Sequence, residues 1–218
     1  MPAKPTAAPQ IDRLQLGRLT DGDPADLRGN AHLEALRFTA VAVPGLSLAG
    51  AELVAVQVAG LSADELDLKG ARLSEVELDR VDVPVVRAAR SRWRDVTVAG
   101  RIGSLEAYEA ELRSVHFVGC KLSFVNLRGA ELLDVAFTDC VIEELELGQS
   151  KVRRVALAGT RGANLDVQHA ELQDFDLRGA QFESIAGLRH LRGTTISSHQ
   201  LVLVAPLLAA ELGIKIED

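Results

Sequence analysis

Acidic side chains recur at intervals of 20 residues in the second half of the sequence, and their spacing could support chemistry. One series comprises Glu106, Asn126, Glu146 and Asp166, and a second comprises Glu111, Glu131, Lys151 and Glu171. Neighbouring carboxylates can act as an acid–base pair in a cleft, or they can present an anionic surface to a basic partner. The elements that carry them decide between these two uses.

Other residue types lack the spacing of a catalytic or metal site. The five histidines show no ligand spacing with one another or with Cys120 and Cys140, so we expect no metal site. Cys120 and Cys140 are 20 residues apart; a disulfide is sterically conceivable, but small core residues are the favoured interpretation. The sequence has no nucleophile elbow, phosphate loop or dinucleotide fingerprint. We therefore predict a protein that is not an enzyme and needs no cofactor.

An apolar residue at every fifth position organises the chain. These centres run from Leu33 to Val98 and, after the loss of one residue, from Ile102 to Phe182, with Gly162 as the exception. A helix needs a spacing near 3.6 and a strand needs alternation, so a period of five predicts a coil that turns one corner per unit.

The units have a recurrent composition, with a small residue two positions before each centre. Good examples are Ala130-Glu131-Leu132, Ala170-Glu171-Leu172 and Ala180-Gln181-Phe182. This pattern resembles the pentapeptide-repeat family. The resemblance implies an all-β fold, a right-handed four-sided parallel β-helix with four units per coil. Residues 20 apart would then lie on one face, one coil apart.

The chain divides into three predicted parts. Residues 1–24 are expected to form a disordered tail and an N-terminal cap, and residues 25–186 the β-helix, with a one-residue register break near 99–101. Residues 187–218 are expected to form a helical cap that begins after a capping box at Ser197 and Gln200. The helix has more apolar surface than a coil end needs, so it is either a simple cap or the contact of a homodimer. The candidate dimer residues are Leu201, Leu203, Val204, Leu207, Leu208 and Leu212.

Composition restricts the partners. The chain has 218 residues, 47% of them hydrophobic, and a net charge of −7. An acidic balance does not favour direct binding to nucleic acid or to an anionic membrane surface. No apolar run is long enough for a membrane span, and the N-terminus lacks an apolar leader. We therefore expect a soluble cytoplasmic protein.

The resemblance also suggests a partner. Some pentapeptide-repeat proteins similar to the quinolone-resistance group imitate the charge of duplex DNA and bind DNA gyrase or topoisomerase IV. By that likeness the partner-binding face would comprise Glu106, Glu111, Glu131, Glu146, Asp166 and Glu171. The alternatives are that these acids are simply a solvated preference of the repeat, and that the protein is structural or scaffolding with no role at gyrase. Many units here carry Val or Arg where the family prefers Asp or Asn.

A basic cluster lies near the register break. It consists of Arg87, Arg90, Arg92 and Arg94, with Trp93 at a centre position. We interpret Trp93 as a core residue and the arginines as a solvated face. A phosphate-binding patch is the other interpretation, and Arg72 and Arg92 could also meet the acidic columns in a charge-complementary dimer.

Overall fold

A computed structural model describes residues 5–217, and it consists of stacked parallel strands followed by one helix. Residues 1–4, part of the expected disordered tail, lie outside the described residues. Single 3-10 turns occur at Pro24–Asp26 and Leu188–His190. The strands are β1 Thr20–Asp21, β2 His32–Glu34, β3 Leu36–Val43, β4 Leu46–Ser47, β5 Glu52–Ala63, β6 Glu65–Asp67, β7 Arg72–Arg87, β8 Arg92–Glu106, β9 Glu111–Val118, β10 Lys121–Asn126, β11 Glu131–Thr138, β12 Val141–Glu146, β13 Lys151–Ala156, β14 Arg161–Asp166, β15 Glu171–Asp176, β16 Gln181–Ala186 and β17 Thr194–Thr195.

Each coil pairs in parallel with the next. Over most of the stack the partners are 20 residues apart, as for Leu53 and Leu73 or Leu132 and Val152. Four five-residue units therefore complete one turn. The fold is the predicted right-handed, four-sided parallel β-helix, with about nine turns.

The spacing between coils changes once. Between β7 and β8 it falls from 20 residues, at Leu78 and Val98, to 19 residues, at Val81 and Gly100. Gly100 has a φ of 137°, and a Cβ there would collide with the backbone of Val81. Only glycine lets the shortened corner lie this close to the preceding coil.

The core is a narrow column of stacked apolar side chains. The rings of Phe117 and Phe137 stack with centroids 4.7 Å apart and planes within 4°. Trp93 is buried, and its indole N–H donates to Ser91 Oγ at 2.8 Å, so it is a core residue as expected. At Gly162, the exception in the repeat, a Cβ would meet the carbonyl oxygen of Ile142, and the ring of Phe182 lies close by. The missing side chain is therefore a packing requirement.

Helix α1, Ser198–Glu211, follows the last coil. Ser197 and Gln200 form the predicted capping box. The Gln200 side-chain amide also donates to the carbonyl oxygens of Leu177 and Ala180, at 2.6 Å and 2.9 Å. These bonds satisfy acceptors at the exposed end of the stack, so α1 caps the β-helix.

The N-terminal residues 5–19, which we call the strap, lie along one corner of the β-helix. The Ala7 N–H donates to Asp174 Oδ1 at 3.0 Å, and the Gln10 N–H donates to Asp134 Oδ1 at 2.8 Å. At the other end of the stack, the Thr20 N–H donates to the Ala35 carbonyl oxygen at 3.0 Å. Fourteen extended residues span ~46 Å and eight strand spacings ~38 Å, so an extended strap reaches across the coils.

Candidate functional site

The first predicted acidic series forms a column on one face, which we call the acidic column. Strand pairing places Glu106, Asn126, Glu146 and Asp166 on successive coils. The Asn126 and Asp166 side chains accept backbone N–H groups two residues on, at 3.0 Å and 2.7 Å. These two residues therefore also stabilise the corner that follows them.

Few cations lie close to the acidic column. Within residues 5–217, Glu146 and Asp166 form no ion pair, and Glu106 lies 3.9 Å from Arg87 Nε. The neighbouring Glu143 and Glu144 are exposed and also form no ion pair among these residues. Because alternate residues of a strand point the same way, Glu144 and Glu146 project from β12 together. We call Glu143, Glu144 and the acidic column the acidic ridge. Sequence reasoning missed Glu143 and Glu144 because it considered only positions before a centre.

The second predicted series belongs to a column of alternating charge on the adjacent face, which we call the mixed column. Its members, from the N-terminal end, are His32, Glu52, Arg72, Arg92, Glu111, Glu131, Lys151 and Glu171.

Ion pairs between coils neutralise several acids of the mixed column. Arg92 Nε lies 3.2 Å from Glu111, and Lys151 Nζ lies 2.8 Å from Glu131. Hydrogen bonding to Glu131 raises the pKa of Lys151. The structure thus separates the six predicted acids into two columns of different electrostatic character.

The basic cluster near the register break is paired with acids. Arg87 lies 2.5 Å from Glu65, and Arg90 lies 2.7 Å from Glu109. The hydrogen bond from Glu109 raises the pKa of Arg90. Arg94 contacts Asp95 at 3.6 Å. These arginines join coils and corners, which is the solvated-face interpretation of the cluster rather than an open phosphate patch.

A shallow groove of about 1430 Å³ follows the face of the mixed column. Thr6 of the strap contributes to its lining, and residues 189–195 line its C-terminal end. Beneath the strap, Asp134 and Arg154 form a two-bond ion pair at 2.5 Å and 2.6 Å. Burial tends to raise the pKa of Asp134, but Arg154 and the Gln10 N–H outweigh it and leave this pKa lowered.

The predicted dimer residues of α1 differ in exposure. Val204 and Leu208 are half-buried, whereas Leu201, Leu203, Leu207 and Leu212 are exposed. Val202 has the most exposed large apolar side chain of the chain's described part, at 71%. The outer side of α1 is therefore apolar and uncovered in the single chain.

Cys120 and Cys140 are free thiols in the core, and both Cys140 and burial raise the pKa of Cys120. Among residues 5–217 no group of three or more potential ligands could hold a metal ion. No helix of the described chain is long and apolar enough to cross a membrane.

Solved structures similar to this one include three of QnrB1, described as a plasmid-mediated fluoroquinolone resistance protein. One trypsin-treated variant is 17% identical, with 87% of this chain and 92% of that chain covered and a TM-score of 0.32. A second trypsin-treated variant is 19% identical, with 85% and 90% covered and a TM-score of 0.28. Full-length QnrB1 is 17% identical, with 84% and 100% covered and a TM-score of 0.27. No curated protein sequence matches this chain.

A family model also matches the sequence. Residues 108–143 match the model described as pentapeptide repeats, in eight copies. The same five-residue register continues on both sides of the matched segment, through Leu33 and Phe182, and the coils it forms are continuous. The chain therefore belongs to the pentapeptide-repeat family.

Proposed function

We propose that this chain is a non-enzymatic binding protein of the cytoplasm whose acidic ridge contacts the basic DNA-binding surface of a type II topoisomerase, DNA gyrase. The observation that carries the proposal is the set of carboxylates without ion pairs, Glu143, Glu144, Glu146 and Asp166, among the described residues. Glu111, Glu131 and Glu171 are given a smaller part because they alternate with cations.

Rigidity and charge support this assignment. A β-helix holds its outward side chains at a fixed strand spacing, so the carboxylates form a row that does not rearrange on binding. A row of anions attracts a basic surface in the way that DNA phosphates do, but it offers no phosphodiester bond for cleavage. The protein would occupy the DNA site of the enzyme and compete with DNA.

The test is supercoiling by purified gyrase with increasing amounts of the protein, with and without a fluoroquinolone. We expect the wild-type protein to inhibit supercoiling or to protect the enzyme from the drug. Glu146→Lys with Asp166→Lys should remove the effect, and raised salt should weaken it, since ionic contacts are screened.

The matched control is Asp79→Lys, a reversal on the opposite face that should leave the effect intact. Asp79 lies in β7 and contacts Arg80 at 2.7 Å. If gyrase does not respond at high excess of the wild-type protein, the topoisomerase proposal fails. Equal loss in the ridge and control variants would also contradict it. The scaffolding alternative would then be pursued by affinity capture.

The uncovered apolar side of α1 supports a homodimer through the C-terminal end, which we include in the proposal. Leu203 and Leu207 are 63% and 43% exposed on a helix that has no buried residue. A second copy of α1 would remove these side chains from water, which is favourable at roughly 25 cal/mol per Å² of apolar surface.

Sedimentation of the full chain checks the dimer. We expect a dimer that persists at high salt, and Leu203→Glu with Leu207→Glu should convert it to a monomer. Arg192→Glu, a new charge in the turn before the helix, is the matched control and should leave the mass unchanged. A wild-type monomer at high concentration and high salt would refute the end-to-end contact.

A further inference from the structure

We infer that the mixed column is a docking surface for a second copy of this chain that lies alongside the first in antiparallel orientation. This contact is separate from the end-to-end dimer of α1, because it uses a side face of the β-helix.

The order of charges along the mixed column carries the inference. When the column is opposed to itself in reverse order, each of its eight positions meets an opposite charge, with His32 counted as a cation. The first position meets the eighth, the second meets the seventh, and so on inward. The four kinds of pair are His32 with Glu171, Glu52 with Lys151, Arg72 with Glu131, and Arg92 with Glu111.

The single chain leaves partners for this contact unused. Within it, Arg92 pairs with Glu111, Lys151 with Glu131, and His32 with Glu52. Among residues 5–217, Arg72 and Glu171 form no ion pair, and both side chains are exposed. An antiparallel copy places Glu131 opposite Arg72 and His32 opposite Glu171, so both residues gain a partner.

The corner beside the mixed column has the same symmetry and permits close approach. Its central members are Arg90 and Glu109, which would face each other across the two-fold axis. Around them lie Gly50, Gly70 and Gly129, which have no side chain to hold a second copy away. An isologous contact needs a surface that is complementary to itself, and both columns meet that condition.

The strap determines which side of the face makes contact. It runs along the opposite corner, beyond the row that contains Arg94 and Arg113, and is held there by Asp134 and Asp174. Two facing copies are therefore kept apart on the strap side. They approach most closely along the mixed column and the glycine-containing corner, so Arg94 and Arg113 of the two copies do not meet.

The size of the contact sets its strength. Eight positions at a spacing of ~4.8 Å give a row ~34 Å long. A width of ~15 Å corresponds to about 1,000 Å² buried in total, which is the range of weak complexes. We therefore expect association that depends strongly on protein concentration and on salt, unlike the apolar contact of α1.

Sedimentation equilibrium of the full chain at ~10 mM and ~1 M salt tests the proposal, since the Debye length falls from ~30 Å to ~3 Å between them. We expect an additional association step at low salt that is lost at high salt. Arg72→Glu creates two like-charge contacts per pair of copies and should weaken this step by roughly tenfold. The double variant Arg72→Glu with Glu131→Arg restores opposite charges and should restore association.

The matched control is Arg161→Glu, an exposed reversal in β14 on another face, which should leave the step unchanged. The proposal is overturned if the wild-type chain shows no salt-sensitive step. It is also overturned if Arg161→Glu weakens the step as much as Arg72→Glu does, or if the double variant fails to recover.

Cross-linking tests the antiparallel register directly. Ser74 and Leu133 lie outward next to Arg72 and Glu131 on the third and sixth coils of the column. When Ser74→Cys and Leu133→Cys proteins are mixed, a short bismaleimide should link one to the other. Ser74→Cys alone should not link to itself, because its mate would lie three coils away. Self-linking of Ser74→Cys without mixed linking would indicate parallel packing and refute the inference.

Discussion

Two ion pairs on one face join the same two strands, yet their surroundings differ. Asp134 with Arg154 and Glu131 with Lys151 both connect β11 to β13, at 2.5 Å and 2.8 Å. The side chains of the first pair are 9% and 16% exposed, and those of the second are 61% and 65% exposed.

The strap causes this difference. The Gln10 N–H donates to Asp134, so the chain covers one pair and leaves the other in water. Exposed pairs contribute little to stability, whereas breaking a covered pair leaves a desolvated charge without its partner. The same spacing on the ladder therefore gives a structural pair under the strap and a surface pair beside it.

The largest expected effect comes from removing the covered acid. Asp134→Ala leaves Arg154 without its two hydrogen bonds and removes the anchor of Gln10. Because the pair is not fully buried, we expect a loss of about 2 kcal/mol in the free energy of unfolding, below the usual cost for a deeply buried pair. Urea denaturation measures it. Glu131→Ala is the matched control, and a loss as large in that variant would contradict the role given to the strap.

Acid should reproduce part of this loss. The folded-state pKa of Asp134 is lowered, so its stabilisation is present above the unfolded value, ~3.9, and is lost as pH falls through the folded pKa. The Arg178 hydrogen bond outweighs burial and lowers the pKa of Asp176 in the same sense. We expect the urea midpoint to fall below pH 4. Asp134→Asn should show a shallower fall, and an unchanged slope would argue against this assignment.

Residues close in sequence allowed much of the fold to be predicted. The five-residue period alone indicated the coil, and the pairing of Leu132 with Val152 follows from it. The capping box at Ser197 and Gln200 is likewise a short-range pattern. Both succeed because the interactions repeat, or occur within four residues.

The strap could not be predicted, because its contacts are neither periodic nor local. Gln10 and Asp134 are 124 residues apart, and Ala7 and Asp174 are 167 apart. The Pro- and Ala-rich composition of this segment indicated a tail, since it contains little that could form a core. Backbone N–H groups do the binding here, and they leave no trace in the residue types.

The candidate site was partly readable. A count of 20 placed Glu106, Glu146 and Asp166 in one column, as the pairing has them. The count did not reveal that Glu131 is held by Lys151, because a contact between exposed side chains depends on their rotamers.

A smaller effect than that of Asp134→Ala should follow from removing one strap hydrogen bond. Gln10→Pro deletes the N–H that binds Asp134 and leaves the ion pair in place. We expect a loss of about 1 kcal/mol, as for a single net hydrogen bond, and faster hydrogen exchange in residues 5–19. Ala8→Pro is the control, because among the described residues the Ala8 N–H has no partner. Equal effects in both variants would show that proline, not the lost bond, disturbs the strap.

The smallest effect should come from Lys151→Ala, which removes the exposed pair without touching the strap. Water and salt solvate both side chains, so their attraction is nearly offset by the order that the pair imposes. We expect the urea midpoint of the monomer at high salt to match that of the wild-type chain. Hydrogen exchange of residues 5–19 should also be unchanged. A loss approaching that of Asp134→Ala would mean that position on the ladder, and not coverage by the strap, makes these pairs stabilising.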